Sequence, residues 1–395
     1  MTLLQGPERV KVQVPVMRPR RGEGAPRVER ERLGFRARMT DHLAVAVGTE
    51  QGLFIISDGI PDGPYFKGSE VAAFLQTERG YLVATTRAGE AALWLSNDDG
   101  QSWNDAVTPL LDFPAETGAT LARICQIQVD DGSSGEDGKH PVLVGTEPAA
   151  LFRSIDGDRF ELVRGLWDHA DRATWGDNPG NALDTVLTHP DRPGRIIVAI
   201  ESGGVYRSDD GGETWHARNG GMAVHASADA SGARRHVYKL AMDAASPDAL
   251  FAQTDSGTYR SENAGDSWTP VGRAGEPDGL ASDYGFPVVA HPVEPGTAFV
   301  FPLESESYPC SPGGRPRVYR TTDGGGHWAV LGDGLPYENA YVTVLGEAFT
   351  IGQSSPYALV LGTRSGQIFA SVDHGDRWRL VAAGLPPVLC LRVLD

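Results

Sequence analysis

The chain has 395 residues and a formal net charge of −17 at pH 7, which argues against general affinity for nucleic acid. No apolar run is long enough to span a membrane, and the N-terminus has no hydrophobic signal core. Three cysteines, Cys125, Cys310 and Cys390, are too few for a disulfide framework, so we expect reduced thiols and a cytoplasmic protein.

The first 38 residues differ in charge from the rest. Residues 1–38 carry ten Lys or Arg and four Asp or Glu, which leaves 25 basic and 48 acidic residues in the remainder. Three interpretations are open: a disordered basic arm, an address segment, or a translation start assigned too far upstream. Met39 lies directly before the first predicted strand, which favours the third. We expect residues 39–395 to form the fold and residues 1–38 to lie outside it.

Seven β-rich runs follow along the chain, and each of them ends in a charged residue. These residues are Glu50, Arg87, Glu147, Glu201, Asp255, Glu304 and Arg364. A second short run follows each of them, for example Gly204–Ser208, and most repeats also place a strand before the first run, for example Arg123–Val129. The spacing predicts four short antiparallel strands per repeat, and therefore an all-β, seven-bladed β-propeller.

The two ends of the chain complement each other. The first repeat begins almost directly at Val45 and lacks the preceding strand, whereas the chain ends in that missing pattern, Val388–Leu394. Pairing the first and last segments removes the two open sheet edges of an unclosed ring. We predict that the C-terminal strand completes the first blade.

A short motif, Ser/Thr-x-Asp-x-Gly-x-x-Trp, ends most repeats. Ser261–Trp268 has Asn in place of Asp, and the copy at Ser154 has lost one residue. The Asp can accept backbone N–H groups in a tight turn, Gly supplies a positive φ, and Trp packs between sheets, which is a structural role. The residues to which we assign that role are Asp98, Trp103, Asp156, Asp210, Trp215, Asn263, Trp268, Asp323, Trp328, Asp373 and Trp378.

The repeated motif resembles the Asp-box (BNR) repeat of sialidase-like and sortilin-like β-propellers, within the wider group of WD40/YVTN-like repeat folds. Over residues 43–394 the chain is similar to soluble bacterial propellers that are labelled exo-sialidase or glycosyl hydrolase by the repeat, and segments 236–242 and 285–292 carry that likeness. The photosystem-assembly type of Asp-box propeller, a scaffold without catalysis, is a more distant relative. The resemblance implies that the boxes lie between third and fourth strands, away from the binding face.

The same resemblance argues against sialidase activity. A sialidase has Phe/Tyr-Arg-Ile-Pro early in its chain, and this sequence has none. A cluster of three arginines for the substrate carboxylate is also not evident, because Arg87 and Arg364 are expected to face Glu50 in ring order.

The remaining run-end charges predict an acidic arc at the channel mouth. The arc consists of Glu147, Glu201, Asp255 and Glu304. Like charges around a low-dielectric opening raise one another's pKa or recruit a cation, and Ca²⁺ or Mg²⁺ would suit carboxylate oxygens. The alternative is that each is an ordinary solvated turn charge.

Two connections between blades add candidate ligand-binding side chains to that face. They are Trp167, Asp168, His169, Arg172 and Trp175 in one connection and His236, Tyr238 and Lys239 in the other. Aromatic rings beside convergent polar groups suit a small polar ligand or a sugar ring. The alternative for Trp167 and Trp175 is that they plug the channel mouth.

These observations favour a binding or assembly module with a charged ligand site at the channel mouth and without sialidase activity. The alternative is a glycoside hydrolase of the sialidase-like type that uses carboxylates of the acidic arc, or a metal-assisted hydrolase or lyase; no catalytic residue can be named. We expect a small polar ligand, a carbohydrate or a protein as partner, with no nucleic acid and no membrane. We expect a monomer, and no cofactor unless a divalent cation occupies the arc.

Overall fold

The computed structural model describes residues 43–78, 80–104, 111–133, 140–154, 159–175, 181–224 and 235–394. The expectation for residues 1–38 and the assignment of Asp156 lie outside these ranges. Within them, the three cysteines are buried and unpaired. None of the described helices has the length and apolar character needed to cross a membrane.

The first three blades contain the following strands. Blade 1 contains β1 (Ala44–Thr49), β2 (Gly52–Ser57) and β3 (Ile60–Tyr65). Blade 2 contains β4 (Glu70–Thr77), β5 (Gly80–Arg87) and β6 (Glu90–Ser96). Blade 3 contains β7 (Arg123–Val129), β8 (Val142–Glu147), β9 (Ala150–Ser154) and β10 (Phe160–Leu162).

Four further blades follow, and one strand returns to the first. Blade 4 contains β11 (Leu183–Thr188), β12 (Ile196–Ile200), β13 (Gly204–Ser208) and β14 (His216–Ala217). Blade 5 contains β15 (Val237–Met242), β16 (Leu250–Thr254), β17 (Gly257–Ser261) and β18 (Thr269–Val271). Blade 6 contains β19 (Gly285–Ala290), β20 (Ala298–Pro302), β21 (Val318–Thr321) and β22 (Ala329–Leu331). Blade 7 contains β23 (Phe349–Ile351), β24 (Leu359–Gly362), β25 (Ile368–Ser371) and β26 (Arg379–Ala382), and the last strand is β27 (Val388–Leu394).

Short helical turns connect some of these strands. One α-helical turn, α1, comprises Arg164–Trp167. The 3-10 turns in the described ranges are Ala115–Thr117, Ala170–Thr174, Pro312–Gly314 and Gly346–Ala348.

The predicted seven-bladed antiparallel propeller is confirmed. Six sheets have four strands, and the sheet of blade 2 has three strands plus an isolated bridge between Leu95 and Asn104. β27 pairs antiparallel with β1, with Val393 opposite Val45 and Leu391 opposite Val47. The C-terminal strand therefore closes the ring as the innermost strand of blade 1, which is what the complementary ends of the sequence predict.

The Asp boxes form one repeated hydrogen-bonded turn. In blade 4, Ser208 Oγ accepts the N–H of Gly212 (2.8 Å), and Asp210 Oδ1 accepts the N–H of Thr214 (2.9 Å). The other described boxes repeat both bonds, and this holds also where Asn263 replaces Asp. Each box follows a third strand, so the boxes lie at the opposite end of the blades from the turns that follow the second strands.

Apolar side chains pack between neighbouring blades. Between blades 3 and 4, for example, Leu143 and Leu151 pack with Val186 and Val198, and the box side chain Trp215 is buried in the same cluster. Strands that are buried on both faces are near-continuous apolar runs, which is why the second strand of each blade is so easily recognised in the sequence.

Candidate functional site

One cavity of about 430 Å³ lies on the axis of the ring, since every blade contributes to its wall. We call it the central cavity. It opens on the face where second strands end, because Glu50, Glu201 and Arg364 belong to its wall. The full wall consists of Glu50, Glu70, Ala72, Arg123, Cys125, Asp184, Glu201, Tyr238, Phe286, Leu345, Gly346, Glu347, Arg364 and Leu389.

β-bulges in the inner strands direct side chains into this cavity. In β11, Leu183 pairs with Ile200 and Thr185 with Ala199, so Asp184 is the extra residue that the partner strand does not match. A bulge re-aims the side chain of its extra residue, here towards the axis. Five further inner strands have a register shift at the same level. The bulge residues that line the cavity are Leu389, Ala72, Cys125, Asp184, Tyr238 and Phe286.

Ion pairs at the cavity mouth neutralise its arginines. Arg364 Nη2 donates to Glu50 Oε1, which is the pairing expected from their order in the ring. Arg123 Nη2 lies 3.2 Å from Glu147 Oε2, and the carboxylate of Glu147 is only 16% exposed. Glu147 therefore contributes to the site through Arg123 and does not itself line the central cavity.

A second group of charges crosses the ring. Glu347 of blade 7 accepts hydrogen bonds from Lys239 of blade 5 and from Arg392 Nη2 of blade 1, the latter at 2.6 Å. Burial, together with the neighbouring Arg392, lowers the pKa of Lys239 to about 7. The direct contact with the Glu347 carboxylate opposes that shift, because it favours the charged ammonium. Blades 5 and 7 are not neighbours, so these bonds bridge the channel and hold its wall together.

Asp184 and Glu201 are the carboxyl groups with perturbed pKa in the wall. Burial raises the pKa of Asp184 to about 7, and the nearby charge of Glu201 adds to that effect, while Arg123 and Lys239 oppose it. Burial also raises the pKa of Glu201, and His236 opposes that shift. Within the described ranges, the Asp184 carboxylate has neither a hydrogen bond nor an ion pair. Asp184 is half-buried and lines the open cavity, where a ligand could contact its carboxyl group.

The other three residues of the acidic arc are divided between two cavities. Glu201 lines the central cavity, whereas Asp255 and Glu304 line a second cavity of about 550 Å³ that also contains Asp283 and Glu306. Part of this second group is bonded within the fold. Glu304 Oε2 accepts the N–H of Gly313 (3.2 Å), and Asp283 Oδ1 accepts the N–H of Ala274 (2.8 Å).

The aromatic side chains of the connection 165–175 lie in the packed interior between blades. Trp167 and Trp175 are 6% and 2% exposed. The Arg172 guanidinium lies 3.6 Å from the centroid of the Trp167 ring, and Trp175 Nε1 donates to the hydroxyl of Tyr206 (2.8 Å). The structure thus places both tryptophans in the scaffold, and neither lines the central or the second cavity.

The polar residues of the same connection bond within it. Asp168 forms an ion pair with Arg164 at 2.8 Å, and His169 Nδ1 accepts the N–H of Asp171 (3.1 Å) at the start of a 3-10 turn. In the other connection, the His236 and Tyr238 rings lie 6.4 Å apart, and Tyr238 reaches the central cavity. Of the side chains proposed from the sequence, Glu201 and Tyr238 are therefore those that line the central cavity.

Reasoning from the second strands alone misses the site residues of the inner strands, chiefly Arg123, Asp184 and Phe286. It also misses Glu347, which lies in the 3-10 turn before β23. The available signal is a charge inside an apolar run, as in Leu183–Thr188. An alignment of inner strands would place the six bulge residues in one column and show how much their chemistry differs.

Three side chains on the opposite face are close enough to share a metal ion. The ligand atoms of His291, Glu294 and His374 lie within 4.8 Å of one another, and no other such group occurs in the described part of the chain. His291 Nδ1, however, accepts the N–H of Glu294 (3.1 Å). That bond requires a lone pair on Nδ1, so a neutral ring carries its proton on Nε2 and has no free lone pair for a metal.

Comparison with known proteins agrees with the fold. The BNR/Asp-box repeat model matches residues 206–217. An ancestral GH74 enzyme is 17% identical over 82% of this chain, with a TM-score of 0.51, and the chain spans only 38% of that enzyme. A putative 6-phosphogluconolactonase from Bacteroides uniformis is 12% identical over 90% of this chain and 100% of its own length, with a TM-score of 0.53. No protein of curated function matches the sequence.

The chain is therefore a seven-bladed β-propeller that carries the BNR/Asp-box repeat. The identities to the solved structures are low enough that these likenesses concern the fold alone.

Proposed function

We propose that this propeller is a binding module whose ligand occupies the central cavity at the channel mouth. The observation that carries the proposal is the partnerless carboxylate of Asp184, which a bulge directs into a cavity on the ring axis. A carboxyl group with a strongly raised pKa in the wall of a cavity is a typical feature of a binding site. The size of the cavity, about 430 Å³, is that of a site for a small ligand.

The surroundings of the cavity support a preformed site. Glu347 is fixed by cations from two other blades, and Glu50 and Arg364 hold each other at the rim. A ligand that enters such a site loses little free energy to ordering of the protein. The proposal also disfavours sialidase activity, since Arg123 and Arg364 are each engaged by a carboxylate.

The test is a thermal-shift screen of the full chain against amines, sugars, amino acids and organic acids. Ala72 lines the cavity, and Ala72→Trp would fill it; Ala329→Trp on the exposed edge strand β22 is the matched control. We expect at least one hit that is lost in Ala72→Trp and kept in Ala329→Trp. A set of hits that Ala72→Trp leaves unchanged, or a screen without hits, would contradict a small-ligand site on the axis.

A second candidate function is glycoside hydrolysis. It is favoured by the raised pKa of Asp184, about 7, beside Glu201, because a glycosidase needs a protonated carboxyl group near a second carboxyl group. This candidate predicts release of the chromophore from p-nitrophenyl glycosides at neutral pH, and loss of that activity in Asp184→Asn. Activity that survives in Asp184→Asn would rule out this carboxyl pair as the catalytic pair.

A further inference from the structure

We propose that the ligand of the central cavity is an organic ammonium ion whose charged end is held by Asp184 and Glu201 beside the rings of Tyr238 and Phe286. The inference rests on the proposed function, because it names the class of ligand for the same cavity. It follows from the balance of charges in the wall, from the chemistry of the remaining wall, and from the arrangement of the carboxylates.

The charges in the wall do not balance. Its carboxylates are Glu50, Glu70, Asp184, Glu201 and Glu347, and its cations are Arg123 and Arg364. Both arginines are already engaged, by Glu147 and Glu50, and Glu347 is engaged by Lys239 and Arg392. Two cations engage the single charge of Glu347, which leaves one surplus positive charge beside the cavity. The remaining carboxylates are Glu70, Asp184 and Glu201, so an excess of negative charge remains that a positive ligand would compensate and an anion would increase.

The raised pKa of Asp184 agrees with a positively charged ligand. With a pKa of about 7, the group is about half protonated at neutral pH, because burial and Glu201 disfavour its charge. A bound cation reverses this preference by favouring the carboxylate. Binding at pH 7 should therefore release protons, and the release should fade above about pH 8.5, where the carboxyl group is already ionised.

The rest of the wall indicates an organic ion. Tyr238 and Phe286 pack edge to face with ring centroids 5.0 Å apart, and both line the cavity with Leu345 and Leu389. Aromatic faces attract ammonium groups, and apolar side chains accommodate the attached hydrocarbon. Neither the aromatic faces nor the apolar side chains would stabilise a hydrated metal ion.

The geometry of the carboxylates points the same way. Calcium takes 6–8 oxygen ligands and magnesium requires a near-octahedral set. Among the described residues, the wall carboxylates do not bring three ligand atoms within 4.8 Å of one another. A pair of carboxylates suits an ammonium group, which donates hydrogen bonds in several directions.

The test uses isothermal titration calorimetry of the full chain with 1,4-diaminobutane at pH 7, in phosphate and in Tris. These buffers differ in ionisation enthalpy, so a difference in the observed heat reports proton release. The matched probes are 1,4-butanediol, succinate and MgCl₂. The variants are Asp184→Asn and Glu201→Gln, with Asp333→Asn as the control, because the Asp333 side chain is 77% exposed on the surface.

We expect 1,4-diaminobutane to bind the wild-type chain with proton release, at least tenfold more weakly to Asp184→Asn, and unchanged to Asp333→Asn. The diol and succinate should not bind. A melting temperature of Asp184→Asn at or above that of the wild type shows that the variant is folded.

Three results would overturn the inference. Binding of the diol or succinate that Ala72→Trp abolishes would keep the cavity as the site but reject the ammonium class. Binding of Mg²⁺ that is lost in Asp184→Asn would assign the carboxylates to a metal ion. If Ala72→Trp changes the binding of none of the probes, the proposed function is rejected together with this inference.

Discussion

Asp210 and Asp184 are the same residue type in the same blade, yet their surroundings differ completely. In the box, hydrogen bonds from Thr214 and Ser208 lower the pKa of Asp210 to about 2. On the axis, burial and a neighbouring carboxyl group raise the pKa of Asp184 to about 7. The first carboxylate is fully engaged by the fold, whereas the second has no partner of its own in the described structure.

The same difference holds for the two sets of repeated positions to which these residues belong, the boxes and the bulge positions of the inner strands. The box repeats the same hydrogen bonds in each described copy, because each copy forms the same turn. The bulge level of the inner strands holds Ala, Cys, Asp, Tyr, Phe and Leu, one from each of six blades. The propeller has one axis and one site on it, so the bulge residues do not need to be the same in every blade. Repetition indicates the scaffold, and variation at a repeated position indicates the site.

Removing a box tryptophan should have the largest effect on stability. Trp215 is 4% exposed and packs between blades 3 and 4, so Trp215→Ala should cost about 3–5 kcal/mol of the free energy of unfolding. Urea denaturation followed by circular dichroism measures it, with Trp215→Phe as the milder control. A loss below about 1 kcal/mol would mean that the boxes do not hold the blades together.

Asp184→Asn should instead stabilise the protein, and only at higher pH. Because the folded-state pKa is raised, the folded protein binds the proton more tightly than the unfolded chain, and wild-type stability falls as pH rises from about 4 to about 7. Asp184→Asn cannot lose this proton, so its free energy of unfolding relative to wild type should rise by about 4 kcal/mol across that window and stay level above it. Parallel pH profiles for the two proteins would contradict the unpaired state of Asp184.

Ser208→Ala should have a smaller effect that does not depend on pH in this window. The change removes the acceptor of the Gly212 N–H, and because this hydrogen bond is buried, the unmet N–H should cost about 1–3 kcal/mol. Thermal denaturation at pH 5 and pH 8 measures the cost at both values. A cost that differed strongly between pH 5 and pH 8 would contradict the claim that the box contributes no pH-dependent stability in this range.

The smallest effect should come from the rim. Glu50 and Arg364 are 33% and 45% exposed, so Arg364→Gln should change the free energy of unfolding by less than about 1 kcal/mol, and by less still at high salt. The same variant leaves Glu50 without its counter-charge, so we expect tighter binding of 1,4-diaminobutane at low salt. Weaker binding would show that Arg364 contacts the ligand itself.

The sequence predicts the scaffold well because the scaffold is repeated. Val388–Leu394 can be assigned to blade 1 from its pattern alone, and Ser208–Trp215 identifies a turn wherever it recurs. Asp184 could not be placed, because its direction depends on a bulge, and strand alternation does not show where the pairing register shifts. Trp167 and Trp175 lie in a connection rich in polar residues, and only their packing shows that their rings face the core.

The ionisation of Asp184 in the free and the ligand-bound protein tests the cation site on the ring axis most directly. The measurement is a ¹³C NMR pH titration of chains labelled at the aspartate carboxyl carbon, in which the Asp184 signal is the one that Asp184→Asn removes. We predict a midpoint of about 7 in the free protein and a lower midpoint with 1,4-diaminobutane bound. A midpoint near 4 in the free protein, or one that the diamine leaves unchanged, would contradict the claim that Asp184 binds the cationic end of the ligand.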